Sequence, residues 1–333
     1  MTVDAAQEPT TGVRQAMDQV SRRAFRVRDY GIVVALVAIV IALSASTDTF
    51  LTRSNMINLF DQCAVVGLLA TGATVCIISG VFDLTASATL ALSAIVGVKV
   101  VRVTGVYVGF GAAVVAGAAL GFVTGMIVVR SGVNSFIATL ATSIIYRGLA
   151  VVFTSASIIY PLTSQSLDFG MLTWPSVFNL TSATIVFIVV VVAIGIVVSA
   201  TTFGRRLYAV GGNIEAARLS GIRVGSVHVA AYVVSGMCSA LAGLVLASRA
   251  GSAQSSMATG FELTAIAAAV IGGTSILGGE GAIWRGVVGA FLLTLIGNGF
   301  NLLGWDTTYQ QVVQGCLILF AVTVDRWLRK RNR

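Results

Sequence analysis

The amino-acid sequence predicts an all-α, polytopic membrane protein with about ten transmembrane helices, some of them broken. Composition carries the first part of that reading: 56% of the 333 residues are hydrophobic and 10% are charged, and the mean hydropathy is +0.94. A soluble domain of ordinary composition carries about a quarter charged residues. The second observation is a set of long charge-free runs at 103–129, 169–204 and 286–305, each long enough to cross roughly 30 Å of hydrocarbon as a helix of about 20 residues. The third is where the charge sits. The net charge of +8 is concentrated beside apolar runs, which points to a membrane surface and excludes a nucleic-acid partner.

From the N-terminus, the chain opens with a basic tail, 1–29, holding Arg14, Arg22, Arg23, Arg26 and Arg28. The apolar run 30–47 that follows is the first span. With Ser44, Ala45 and Ser46 at its end it also imitates a secretory signal peptide, whose removal would leave nine spans. Further spans are predicted at 56–79, 84–101, 106–129, 135–154, 180–200, 226–247, 262–277, 281–299 and 307–325, all within a transmembrane domain of 30–325. A basic tail, 326–333, with Arg326, Arg329, Lys330, Arg331 and Arg333 closes the chain. An even number of spans puts both termini on one side, and the positive-inside rule makes that side cytoplasmic. Arg130 and the group Arg205, Arg206, Arg218 and Arg223 then fall in cytoplasmic loops. Arg53, Lys99, Arg102 and Arg249 fall outside.

The 36 glycines against 3 prolines suit close helix packing in lipid, where small residues let backbones approach. Cys63, Cys76, Cys238 and Cys316 have no metal-like or framework spacing and are assigned to packing. Trp174, Trp284, Trp305 and Trp327 lie near span ends and read as interfacial anchors. The single histidine, His228, is assigned to a polar interface at the cytoplasmic end of its helix.

Two apolar stretches are interrupted, at 79–85 around Asp83 and at 272–281 by a run of glycines. Such breaks at membrane depth require backbone buried in protein or lining a cavity, and their comparable positions in the two halves hint at a structural repeat. A carboxylate there needs partners. Asp83 is read as a cap for the helix beginning near Leu84, with direct substrate contact as the alternative. Glu262 and Glu280, also at helix starts, are weighed in the same way.

The polar stretch 202–222 is the most informative. Asn213 is placed to cap a short helix over 215–219, and Gly221 to end it. The pair Ala216 and Ala217 makes that helix narrow enough to dock in a groove of another protein, while Glu215 and Arg218 can pair across its rim. A solvated connector is the plainer alternative.

At this stretch the chain resembles the ribose, xylose and galactose-type permeases of bacterial ABC importers. GRRLYAVGGNIEAARLSGI at 204–222 follows the family's pattern nearly residue for residue. The resemblance continues in GFEL at 260–263, AIAAAVIGGTS at 265–275, GNGFNLLG at 297–304, YQQVV at 309–313, FIATL at 136–140 and RGL at 147–149. Departures are GVFDLT at 80–85 in place of the family's GGIDLS, Asn134-Ser135 in place of a proline pair, GGEG at 278–281 in place of GGRG, and Thr264 where an acid is common.

The resemblance implies inward movement of a sugar by alternating access and a homodimer of permease subunits. It also implies cytoplasmic ATP-binding subunits engaged through the coupling loop 201–225, and a periplasmic or lipid-anchored sugar-binding protein. The setting is the inner membrane and its lipids. The chain itself has no G-x-x-x-x-G-K-[ST] phosphate loop, so hydrolysis is expected in another subunit, with no cofactor and no metal here. Phe82, Thr139, Thr142, Asn298, Asn301 and Gln310 are the residues expected along the substrate path, because a neutral sugar needs hydrogen-bonding groups beside an aromatic wall. The outward segments 155–179 and 250–260, rich in Ser and Thr, are expected to help dock the binding protein. An uncoupled channel or secondary transporter is a rival reading, but its relay would need several buried ionisable groups. An intramembrane enzyme is another, and the sequence offers neither a zinc set nor a Ser/His/Asp set.

Overall fold

The computed structural model describes residues 32–174 and 180–306, and beyond them only positions 309, 310, 312–316, 319 and 323. Both basic tails, Trp327 and most of the predicted span 307–325 lie outside the described residues. Within them the chain is helical. Helices α1 (Ile32–Ser46), α2 (Arg53–Ile78), α3 (Ala86–Thr104), α4 (Val106–Ser131) and α5 (Ser135–Thr154) come first. A connector follows, with a single α-turn α6 (Ser166–Phe169) between two 3-10 turns. Then come α7 (Ser182–Ala200), two short helices α8 (Thr202–Gly212) and α9 (Ile214–Leu219), then α10 (Val224–Ala250), α11 (Phe261–Ile271) and α12 (Ile283–Leu302). Seven of these are long and apolar enough to cross a membrane, and α1 and α11 are shorter apolar helices. The chain is a multi-pass α-helical membrane protein.

Helix starts follow local chemistry. Thr52, Asn134 and Thr181 each accept a backbone N–H with the side chain at the start of α2, α5 and α7, filling donors the helix itself leaves open. The apolar faces then sort the helices into layers. For α2, 89% of its most apolar window is buried, while for α4, α5 and α7 the figures are 33%, 28% and 22%. Thus α2 is a central post, and α4, α5 and α7 present Val115, Phe122, Ile144 and Val192 outward. Apolar surface on that scale is what lipid covers.

The seam between α4 and α10 shows what the glycines do. Gly117, Gly121 and Gly125 recur every four residues along α4 and face Gly236, Tyr232 and Val229 of α10. A Cβ on Gly125 would stand 2.8 Å from the Cα of Val229, inside any tolerable contact. This is the small-residue spacing that lets membrane helices pack backbone to backbone.

The connections gather at two ends. At one, the segments after α2 and α11 meet beside α8. At the other, Ile159 and Ala253 exchange backbone bonds of 2.8 Å in both directions, Gln165 donates to the Val101 carbonyl at 2.8 Å, and Ser248 donates to the Phe169 carbonyl at 2.7 Å. The segment 251–260 folds back into the bundle rather than lying on it: Ala253 and Met257 are buried with α3 residues in the main core. The expected surface at 250–260 is therefore partly interior.

Candidate functional site at the helix breaks

Between α2 and α3 the backbone runs extended along α10. His228 Nε2 meets the Ser79 carbonyl at 3.2 Å, and because a carbonyl only accepts, the proton is on Nε2. One turn further, the Tyr232 hydroxyl donates to the Phe82 carbonyl at 2.8 Å. Nearer the middle of α10, Ser235 Oγ donates to Asp83 Oδ2 at 2.6 Å. The Phe82 N–H is taken by Ser135 Oγ at 3.1 Å, from the first turn of α5. Side chains of α10 and α5 thus replace the helical bonds lost at the break, as buried backbone requires. Ser79, Val81, Asp83, Leu84 and Thr85 are all buried.

Asp83 turns the chain into α3. Its Oδ1 accepts from the Thr85 backbone N–H at 2.8 Å and from the Thr85 hydroxyl at 2.6 Å. That is an Asx-type turn closing onto the residue before Ala86; the expected cap of a helix starting near Leu84 is thus corrected, because α3 begins at Ala86 after Thr85 and has no side-chain cap bond. With Ser235 on the other oxygen, the carboxylate accepts three donors.

The second break, between α11 and α12, touches the first. The Gly279 N–H donates to the Ile78 carbonyl, the last residue of α2, at 2.9 Å. Gly278, at φ 85°, lies so close to Gly80 that a Cβ would fall 2.9 Å from the Gly80 Cα. Helix α8 seals this junction. Its Gly211 rests on both breaks at once, since a Cβ there would stand 2.6 Å from the Gly279 nitrogen and nearer still to the Ile78 carbonyl oxygen. Tyr208, one turn earlier, donates its hydroxyl to the Gly281 carbonyl at 2.8 Å. Burial pushes the Tyr208 phenol above its ordinary value, with the Arg285 guanidinium opposing, so the hydroxyl keeps its proton and serves as donor.

Helix α9 projects from α8. Asn213 Oδ1 accepts from the Ala216 N–H at 2.9 Å, and Arg218 pairs with Glu215 at 3.4 Å on the exposed rim. Gly221, at φ 79°, turns the chain back toward α10. The two alanines part company. Ala216 is exposed, but Ala217 is 4% exposed and packs with Leu207, Val210 and Val227. The expectation that both face a partner's groove is corrected for Ala217, because a six-residue helix lying on the bundle must turn one face inward. The outward face carries Ile214, Glu215, Ala216, Arg218 and Leu219, with Leu219 81% exposed.

The six residues expected along one path do not meet. Thr139 and Thr142 are buried and bond back to the Ser135 and Ala138 carbonyls of their own helix, at 2.7 and 2.8 Å. Asn298 exchanges amide bonds with Asn55 of α2, at 2.7 and 3.1 Å, so both its ends are spent on a helix contact. Gln310 lies against Gly297. Asn301 is exposed and Phe82 half-buried, and Phe82 belongs to the α8 end. Asn298 stands fifteen residues along α12 from Ile283, roughly 22 Å away at the helical rise. Hydrogen-bonding type alone does not mark a lining residue, since membrane helices use the same groups to hold each other.

Two polar residues that sequence reasoning passed over prove central to packing. Asp61 of α2 is buried and accepts from the hydroxyls of Thr181 and Thr184 at the start of α7. Arg147 of α5 reaches three acceptors on other segments. An acid within an apolar run was the available signal for Asp61. Nothing local identified its partners, 120 residues away.

Comparison with known proteins gives this arrangement its context. The family profile described as branched-chain amino acid transport system / permease component matches residues 55–322. The chain belongs to this family. Both breaks, α8 and α9 lie within the match. The ribose import permease protein RbsC of Escherichia coli K12 is 36% identical over 294 residues, covering 88% of this chain and 92% of that protein. RbsC of Bacillus subtilis 168 is 38% identical over 301 residues, covering 88% and 91%. The L-arabinose transport system permease protein AraH of E. coli K12 is 34% identical over 305 residues, covering 91% and 92%. No solved structure matches the chain. The family consists of membrane permease components, and this chain is one.

Proposed function

We propose that the chain is the permease subunit of an ABC importer that moves a sugar inward, paired with a second copy of itself in the bacterial inner membrane. The end carrying α8, α9 and the two breaks faces the cytoplasm, as do both termini. Separate ATP-binding subunits engage the outward face of α9, and a periplasmic or lipid-anchored sugar-binding protein delivers solute to the opposite end. The names of the relatives, which concern ribose, D-allose and L-arabinose, support a pentose or hexose as the solute.

The observation that carries the mechanism is Gly211 resting on the Ile78 carbonyl and the Gly279 amide together. A backbone contact this tight does not slip: a displacement of α8 displaces both breaks. The break in turn is held to α10 and α5 by side-chain hydrogen bonds at Ser79, Phe82 and Asp83, which can exchange without unwinding a helix. Binding energy from ATP at α9 is thereby delivered to the discontinuous helices, the elements able to adopt two arrangements.

Uptake of labelled ribose and L-arabinose into vesicles holding the complete transporter tests this. Uptake is expected to stop on vanadate inhibition of ATP hydrolysis and to survive dissipation of the proton gradient. Uptake that collapses with the gradient and ignores vanadate would establish a secondary transporter instead.

A further inference from the structure

Inside the bundle, one arginine holds the inward-folded segment 251–260 in place. Arg147 Nη1 donates to the Ser255 carbonyl at 2.6 Å and to the Met257 carbonyl at 2.9 Å, and Nη2 donates to Ser87 Oγ of α3 at 2.9 Å. The guanidinium fork therefore joins three parts of the fold: α5, the start of α3 just beyond the first break, and segment 251–260. That segment has no helix of its own. Besides Arg147 it is held by the bridge between Ile159 and Ala253 and by the burial of Ala253 and Met257. It leads into α11, whose far end enters the second break.

Two residues into α11 stands Glu262. Its Oε2 atom is buried and has no hydrogen-bond partner among the described residues, a costly condition for a carboxylate oxygen. The same carboxylate lies within electrostatic range of the Arg147 guanidinium. An unused acceptor thus lies within electrostatic range of a fork three of whose five N–H groups go to neutral acceptors, two of them backbone carbonyls. A charged acceptor makes the stronger bond. The segment's packing, not the intrinsic preference of the guanidinium, keeps Arg147 on Ser255 and Met257.

We propose that Arg147 is the latch of segment 251–260 and that Glu262 is its alternate acceptor. With the segment folded in, the fork is closed on the Ser255 and Met257 carbonyls and on Ser87. When the segment swings out, the fork passes to Glu262 Oε2, and the pair holds the segment open. Because segment 251–260 and α11 connect this latch to the second break, its two positions are a counterpart of the movement of α8. The inference rests on the proposed transport cycle for its role. The latch itself is defined by Arg147, Glu262 and the segment between them.

Thiol accessibility at Met257 reads the latch directly. The Met257 side chain is buried, and its replacement leaves the carbonyl that Arg147 uses. With Cys316, the exposed native cysteine, changed to serine, Met257→Cys in nanodiscs holding the whole transporter is treated with a polar maleimide. Arg147→Gln is expected to raise the labelling rate about tenfold or more, as loss of bonds from a charged donor requires. Glu262→Gln is expected to lower it below the parent, because the open state loses its acceptor.

Opposite signs are the signature, since a merely structural role makes both changes loosen the segment alike. Should Arg147→Gln not accumulate, Arg147→Lys keeps the charge without the fork, and its labelling is expected to rise by a smaller factor. Unchanged labelling in Arg147→Gln or Arg147→Lys, or a rise in Glu262→Gln, overturns the proposal. The readout needs neither a sugar nor ATP. A transporter that shows this pattern yet imports no sugar would overturn the sugar reading and leave the latch standing.

Discussion

Ser235, near the middle of α10, donates a 2.6 Å hydrogen bond to Asp83 in the first helix break, and with Thr85 on the other carboxylate oxygen this fixes where α3 begins. The acid is consumed by structure on both sides. Asp83→Asn keeps an amide oxygen for Thr85 and, by rotation of the Ser235 hydroxyl, a donor that Ser235 can accept. It is expected to lose about 1 kcal/mol of stability or less. Asp83→Leu leaves three buried donors unpaired and is expected to lose about 3 kcal/mol or more. Thermal unfolding of the purified protein checks both. Equal, near-parental stability of the two variants would remove the structural role of Asp83.

The pairing of Asn55 with Asn298 leads to a second expectation. Asn298→Leu strands the Asn55 amide, which retains only its bond to the Phe50 carbonyl at 2.8 Å, and is expected to cost about 1–2 kcal/mol, the upper range for such bonds between membrane helices. The double change Asn55→Leu, Asn298→Leu is expected to cost less than the single one, because both partners leave together. The preference among transported sugars stays as in the parent for a residue that contacts no solute. A changed preference in Asn298→Leu would return it to the substrate path.

On α9 the two faces separate folding from partner binding. Ala217→Asp buries a charge among Leu207, Val210 and Val227 and is expected to lower stability by several kcal/mol. Leu219→Glu, on the exposed face, is expected to shift stability by no more than about 0.5 kcal/mol and to abolish co-purification with the ATP-binding subunits. Co-purification that survives Leu219→Glu would place the partner elsewhere.

How much of this was legible in the sequence follows from the range of each interaction. Spans and caps are local. The Asn213 cap, the Glu215–Arg218 pair and the interruption at Asp83 depend on residues within a few positions of each other, and each stands where the sequence placed it. The substrate-path residues depended on which helix face met which neighbour, and a nearly uniform apolar sequence gives no periodicity to read. Thr139 and Asn298 therefore looked like ligands, whereas Thr139 bonds back to its own helix and Asn298 to Asn55 of α2. Arg147 sits in the RGL motif, but two of its three acceptors are more than a hundred residues away in segment 251–260. Ala217 was misplaced for a related reason: a six-residue helix has too few turns for its sequence to declare which face is buried.

Coupling depends most on the contact of α8 with both breaks, and Gly211→Ala tests that contact with one methyl group. The added Cβ has no room beside the Ile78 carbonyl and the Gly279 amide, so α8 is displaced from the junction while α9 keeps its outward face for the ATP-binding subunits. The measurement is the ratio of sugar imported to ATP hydrolysed in reconstituted vesicles holding all subunits. The predicted result is ATP hydrolysis that persists with import reduced at least about tenfold, a change of about 1.4 kcal/mol in coupling. A parental ratio in Gly211→Ala would contradict the transmission of movement through this junction.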